Sequence, residues 1–226
     1  LTMVATALTN TTGGNNVAAQ TLTISGSTGS DTVSIVGGEE ASAIVTKINN
    51  VTGTTNVKAS AVTELTLQNL SNDGTVTFNL FGDNTTGAAI SAAITTTDFT
   101  ALVKAINDVS GNTGITAATD GANNVIKLTH STGKDIDMQN FTHSGAIDYQ
   151  DPTATPVATD GSGVTAPVQQ SFDVIGNSGE NSGTTVTLYD GGTRNGQDST
   201  VVGGQVSFNS SASFSVSSDI DGANFE

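Results

Sequence analysis

The stretch AIVTKINNVTGTTNVKA, residues 43–59, returns 58 positions later as ALVKAINDVSGNTGITA, residues 101–117. No gap is needed to align them. Identities fall at Ala43/Ala101, Val45/Val103, Ile48/Ile106, Asn49/Asn107, Val51/Val109, Gly53/Gly111, Thr55/Thr113 and Ala59/Ala117. Ile44/Leu102 and Val57/Ile115 are conservative pairs. Composition bias rarely aligns the apolar positions and the glycine together, so this is an internal repeat. Each copy predicts one amphipathic helix. Ala41, Ile44, Val45, Ile48 and Val51 form one apolar stripe on a 3.6-residue period, and Phe99, Leu102, Val103, Ile106 and Val109 repeat it. Glu39, Glu40 and later Asp98 fall in the expected first turns, where negative charge suits the helix dipole. Thr96 or Thr97 is the expected cap of the second helix. Gly53 and Gly111 stand where a left-handed stop is expected.

Outward from both helices the pattern changes to strands. TLTISG and DTVSIVG precede the first helix, with a turn over 27–30 between them. NVKASAV and ELTLQNL follow it, then a turn over 71–74, then TVTFNLFG. The second copy reads AAISAAI, helix, GITAAT, NVIKLTH, a turn over 131–134, and DIDMQNF. Leu65 and Leu67 alternate with Thr66, as Ile126 and Leu128 alternate with Lys127, which is the mark of a strand with one wet face. In both copies the helix is expected to lead through a short strand into a hairpin.

The expected fold is therefore α+β and mainly antiparallel β: two tandem β-β-α-β-β repeats plus a β-rich tail. The repeats occupy about 17–82 and 83–143, within a region spanning 1–143. All three prolines, Pro152, Pro156 and Pro167, lie in 144–170, which reads as a linker or long loop. Beyond it SFDVIG, TTVTLYDG, TVVGGQVSF and SFSVSS read as strands. Residues 171–226 are assigned to a small β-rich subdomain, with completion of the first sheet as the alternative.

Composition narrows the function. Thr, Ser, Gly, Asn and Ala dominate, Trp is absent, and Tyr149 and Tyr189 are the tyrosines. β-Branched residues favour strands, and Gly and Asn favour turns. The formal charge is −15 against six basic residues: Lys47, Lys58, Lys104, Lys127, Lys134 and Arg194. Phosphate binding needs clustered Lys and Arg, so nucleic acid is not an expected partner, nor is an anionic membrane surface. No apolar run is long enough to span a bilayer. The opening LTMVATALTN lacks the basic and long apolar regions of a signal peptide, and the chain reads as a piece of something larger. With no cysteine there is neither a disulfide nor a thiolate metal site, as suits an exported bacterial protein.

No catalytic, cofactor-binding or metal site is expected. His130 and His143 sit at hairpin ends, no G-x-S-x-G elbow exists, and both read as hydrogen-bonded surface histidines. Gly161, Ser162 and Gly163 imitate a phosphate loop, but no helix pattern follows and Pro167 intervenes. Asp219, Asp221 and Asn224 form one acidic group, Asp135 and Asp137 another. Neither carries the bidentate Glu that closes a calcium loop. N-x-Ser/Thr triplets at Asn10, Asn50, Asn84 and Asn140 are what chance yields in a chain so rich in those residues.

The stretches ASAIVTKINNVTGTTNVKASAV…ELTLQNLSNDGTVTFNLFG and FTALVKAINDVSGNTGITAAT…NVIKLTHSTGKDIDMQNF resemble the flagellin insertion repeat. That module occurs in the central variable region of bacterial flagellins and in the filament cap protein. Ile48-Asn49 and Ile106-Asn107 match its I-N pair, and residues 54–60 and 114–118 match its strand. The tail GQVSFNSSASFSVSS is similar to the β segment preceding a flagellin's return to its core. The resemblance implies a secreted, extracellular, non-enzymatic role. The chain would be the outer domain of a flagellar filament subunit used in motility. Implied partners are other copies of the subunit, through core segments missing from this chain, with O-linked glycans, antibodies or host surfaces as further contacts. The alternative is a binding module of a flagellar cap protein or adhesin.

Overall fold

The computed structural model describes residues 2–4, 14–145, 158–159, 165–166, 170–176, 185–190 and 197–220. In chain order the elements begin with β1 (Thr2–Val4), β2 (Gln20–Ser25), β3 (Ser30–Ile35), α1 (Ala41–Asn50), α2 (Thr52–Thr55), β4 (Lys58–Gln68), β5 (Gly74–Phe81) and β6 (Ala88–Ile94). Then come α3 (Thr100–Asp108), α4 (Ser110–Thr113), β7 (Ile115–Thr119), β8 (Ile126–His130) and β9 (Ile136–His143). The last are β10 (Ala158–Thr159), β11 (Thr165–Ala166), β12 (Ser171–Gly176), β13 (Thr185–Tyr189), β14 (Thr200–Val202), β15 (Gln205–Asn209) and β16 (Ser215–Ser218). The molecule is mainly antiparallel β with a few short helices, as expected.

Both apolar stripes do what their period dictates. Ala41, Ile44 and Ile48 of α1 are buried, with Val45 and Val51 partly so. Phe99, Leu102 and Ile106 are buried beside a half-covered Val103 and Val109. The ends of the helices differ from expectation. Helix α1 starts after Glu40 with no side-chain cap, and its Ser42 N–H donates instead to the Gly133 carbonyl at 3.0 Å. Helix α3 is opened by Asp98, whose carboxylate accepts from Thr100 N–H at 2.9 Å, and not by Thr96 or Thr97. Gly53 and Gly111 do not stop the helices. Each lies inside a further short turn, and the left-handed residues come after it, at Asn56 (φ 58°) and Gly114 (φ 71°). The Thr55 and Thr113 hydroxyls hold that turn by donating to the Val51 and Val109 carbonyls at 3.0 and 3.2 Å.

The expected closing hairpins are not formed. NVKASAV and ELTLQNL belong to one strand, β4, whose first half pairs with β15 and second half with β8 and β12. Strand β5 pairs with β6 and β9 instead of β4, and β8 pairs with β4 and β7 instead of β9. The turns at 71–74 and 131–134 are thus crossings between layers. Alternating burial explains why. Leu65 and Leu67 on β4 and Val76, Phe78 and Leu80 on β5 turn into one core from two different sheets, so each strand takes its edge partners within its own sheet.

Two cores result. The larger gathers Leu65, Leu67, Phe78, Leu80, Ile106, Ile126, Leu128, Met138, Phe141 and Phe172 between the sheets, with α3 lying on the edge strands β6 and β7. The smaller gathers Leu22, Ile24, Val33, Ile35, Ile44, Ile48, Val57, Val206 and Phe208 under α1. Strand β4 runs through both. Its Ala59 and Ala61 pack on the smaller core, and Leu65 and Leu67 lie in the larger. Strands of residues 171–218 do not stand apart as a subdomain. β12 and β15 pair with β4, β14 with β9 and β16 with β2. Apolar alternation in Phe172/Val174 and Val206/Phe208 gives each strand a face that needs an existing core. Within 144–170, β10 and β11 pair with each other, and residues 146–157, 160–164 and 167–169 lie outside the described residues.

Candidate functional site

The two cores meet where the loop between β8 and β9 rests on the start of α1. Gly133 sits against Ala61 of β4 with φ 78°, and its carbonyl caps α1 at Ser42. Asn15, ahead of β2, reaches the same place. Its amide donates to both Asp135 carboxyl oxygens at 2.8 and 3.0 Å and to the Glu39 carbonyl at 3.2 Å, while its own oxygen accepts from Val17 N–H at 3.1 Å. Both polar atoms of this buried side chain therefore have partners, and Asp135 is 120 residues away in sequence.

The joint is acidic. Burial pushes the Asp135 carboxyl up to about 7; the Asn15 hydrogen bonds oppose this, and the charges of Glu40 and Asp137 add to the rise. Burial also raises Asp137, against a 2.6 Å hydrogen bond from Gln139. Basic groups stand at the rim. Lys47 pairs with Glu39 at 2.6 Å, and Lys134 lies 3.9 Å from both Glu40 and Asp83.

The histidines are buried, not on the surface. His143 donates from Nε2 to the Asn72 carbonyl at 3.0 Å and accepts at Nδ1 from Gly145 N–H, so it ties the start of β5 to the end of β9. His130 lies between Thr132 Oγ1, 3.2 Å from Nδ1, and Asp83, 3.5 Å from Nε2. The order hydroxyl, imidazole, carboxylate resembles a catalytic line. Here Thr132 is two residues along the same turn, and the ring is sealed beneath Gly114, where a Cβ would strike both Asp83 and His130. The line sets the end of β8 beside the end of β5, without a hydrogen bond at Nε2. A groove of about 340 Å³ lies elsewhere, between the start of β5, the end of β6 and the start of α3, lined by Gly74, Ala93, Ile94, Asp98 and Ser144 among others.

Other sequence candidates are scattered. Asp135 and Asp137 share this joint, but no cluster of three possible metal ligands occurs among the described residues. Asp219 accepts from Thr21 N–H at 2.7 Å and fixes the last described turn to β2. Asp221, Asn224, Gly161, Ser162 and Gly163 lie outside the described residues, as does Asn10. Asn84 spends its amide on the Leu80 and Thr86 carbonyls. No helix among the described residues is long and apolar enough to cross a membrane. Sequence reading missed Asn15 and the pairing role of Asp135. Only a three-dimensional contact joins them.

The repeat is visible in hydrogen bonds. Asn49 donates to the Ala59 carbonyl at 3.0 Å and accepts from Ala59 N–H at 2.8 Å. Asn107 does the same to Ala117 at 2.9 and 2.8 Å. Both ring-like clamps tie the helix to the strand that follows it.

Residues 21–72 match the family described as Flagellin hook IN motif. No curated protein matches the chain. Among solved structures the chain is similar to the D2-D3 domains of the flagellar cap protein FliD from Escherichia coli. It is 14% identical over 92% of this chain and 97% of that one, with a TM-score of 0.22. A score that low does not establish a shared arrangement. The matched residues take in β2, β3, α1, α2, β4 and the first of the two asparagine clamps. Over residues 21–72 the chain is therefore similar to the Flagellin hook IN motif family.

Proposed function

We propose that the chain is the outer, surface-exposed part of a bacterial flagellar filament subunit, with a structural role and no catalysis. It coats the filament, sets its surface charge and presents its variable, antigenic face. The matched motif at residues 21–72 carries this reading. The recurrence of its asparagine clamp at Asn107 supports two insertion-type units, at about 17–82 and 83–143. A formal charge of −15 suits crowded copies that must repel one another and stay dissolved. In this reading the chain is exported and works outside the cell. Contacts between subunits run through long core helices supplied by the rest of the subunit. O-linked glycans on Ser and Thr, antibodies and host surfaces meet the coat. The test is deletion of this segment from the parent gene, followed by electron microscopy of the cells. Filaments of reduced diameter are expected. Loss of filaments despite normal expression and export of the subunit would overturn the outer-domain reading.

A further inference from the structure

We propose that the outer edge of β3 is a strand-pairing surface held shut by Glu39 and Lys47, and that freeing it lets a second copy of this chain add its own β3 there. Strand β3 pairs with β2 on one side, and among the described residues no strand pairs with its other side. The strand is six residues long. Val36, just past its end, is 59% exposed, and it is the one exposed large apolar side chain among the described residues. An open edge that ends in an apolar side chain is a template on which another chain can build. Two copies related by a twofold axis present the same edge to each other, so pairing closes at a dimer.

The guard is visible in the bonds along that edge. Both backbone polar groups of a residue in an antiparallel strand point the same way, so the outward groups fall at alternate residues. Here they fall at Thr32, Ser34 and Val36, and each of the three meets a side chain. The Asp31 carboxylate accepts from Thr32 N–H at 2.8 Å. Lys47 reaches down from α1 and donates to the Ser34 carbonyl at 2.9 Å. Glu39 accepts from Val36 N–H at 3.0 Å. Lys47 and Glu39 also bind each other at 2.6 Å, so two of the three covers act as one clasp lying across the edge. The Glu39 side chain is only 9% exposed, and a pair so covered is screened little by salt. Asp31 is half-buried on the face that carries Val33 and Ile35, an inward charge that further discourages an added strand. An incoming strand must displace the clasp before it can reach the Ser34 carbonyl and Val36 N–H.

Sedimentation and amide hydrogen exchange of the purified chain and of a Glu39→Thr, Lys47→Thr double variant test this. The double change removes one charge of each sign, so the net charge stays at −15 and association cannot come from relieved repulsion. Salt at about 1 M shortens the Debye length to about 3 Å and screens that charge equally in both chains. The wild type should remain a monomer there, with a fast-exchanging Ser34 amide. The double variant should dimerise as its concentration rises, and its Ser34 amide should gain about tenfold protection or more in the dimer. Adding Ser34→Pro should abolish the dimer, because a proline at that position withdraws an outward donor and leaves the pairing with β2 in place. Should the double variant fail to fold, Lys47→Ala decides. It uncovers the Ser34 carbonyl alone, from a helix position whose side chain is 39% exposed, and should give the same dimer at higher concentration. A folded double variant that stays monomeric, or in its place a folded Lys47→Ala chain that does, would overturn the guard. So would a dimer whose Ser34 amide gains no protection, a dimer that survives Ser34→Pro, or a wild type that already pairs through Ser34.

Discussion

Asn49 and Asn107 stand 58 positions apart and make the same two bonds, each clamping the backbone of the residue ten positions further on. A side-chain amide that both donates to and accepts from one peptide group fixes the angle at which a strand leaves its helix. Asn49→Ala and Asn107→Ala should each cost about 1–3 kcal/mol, since two backbone groups lose their partner. Asn107→Ala should cost more, because its bonds are part-buried whereas those of Asn49 are exposed to water that can replace the amide. Denaturant unfolding of both variants checks the order. Equal and negligible losses would mean that the clamps are incidental.

Ile48 and Ile106 are the central knobs of the two helices, and both are fully buried. Ile48→Ala and Ile106→Ala should each destabilise by about 2–5 kcal/mol. The two occupy different cores, joined along β4. Amide exchange should therefore localise the first loss to the unit under α1 and the second to the sandwich. A single uniform loss from either variant would argue for one undivided core.

Gly26 and Gly82 mark the ends of β2 and β5, where the chain passes against the turns after the helices. A Cβ on Gly26 would run into the Thr55 carbonyl, and one on Gly82 into the Thr113 carbonyl. Backbone cannot yield as a flexible side chain does, so Gly26→Ala and Gly82→Ala should each lower stability by about 1–3 kcal/mol. Gly53→Ala and Gly111→Ala are the controls, because nothing lies within 4 Å of a Cβ there. Both are helical, and the change should be neutral or slightly stabilising by thermal melting. The reverse ranking would contradict the turn geometry.

His143→Ala should cost about 1–3 kcal/mol, since it strips a buried partner from the Asn72 carbonyl and from Gly145 N–H. His143→Gln should recover part of that loss, as an amide can donate to the carbonyl. Thermal melting of the two variants decides. Wild-type stability in His143→Ala would show that the ring holds nothing.

Local patterns were readable in the sequence wherever periodicity and local packing agree. The stripes through Ile48 and Ile106 and the alternation in Leu65/Leu67 and Ile126/Leu128 each placed an element and its buried face. Pairing was not readable. A polar turn such as residues 71–74 serves a hairpin or a crossing between layers equally well, and the outcome depends on partners far along the chain. Strands β4 and β12 meet across about a hundred residues, and β2 and β16 across almost two hundred. The joint was hidden for the same reason. Asp135 reads as an ordinary acidic turn residue until Asn15 is brought to it. The burial of His130 and His143 was equally hidden, because each lies at a strand end whose cover comes from another layer.

The measurement that bears most directly on a filament-coat role is immunogold electron microscopy of flagellated cells with antibodies raised against this chain. The antibodies should decorate filaments along their whole length, because every subunit would present the segment. Label confined to the filament tip would contradict the account and assign the chain to a cap. Absence of label from filaments whose cells express the protein would remove it from the filament altogether.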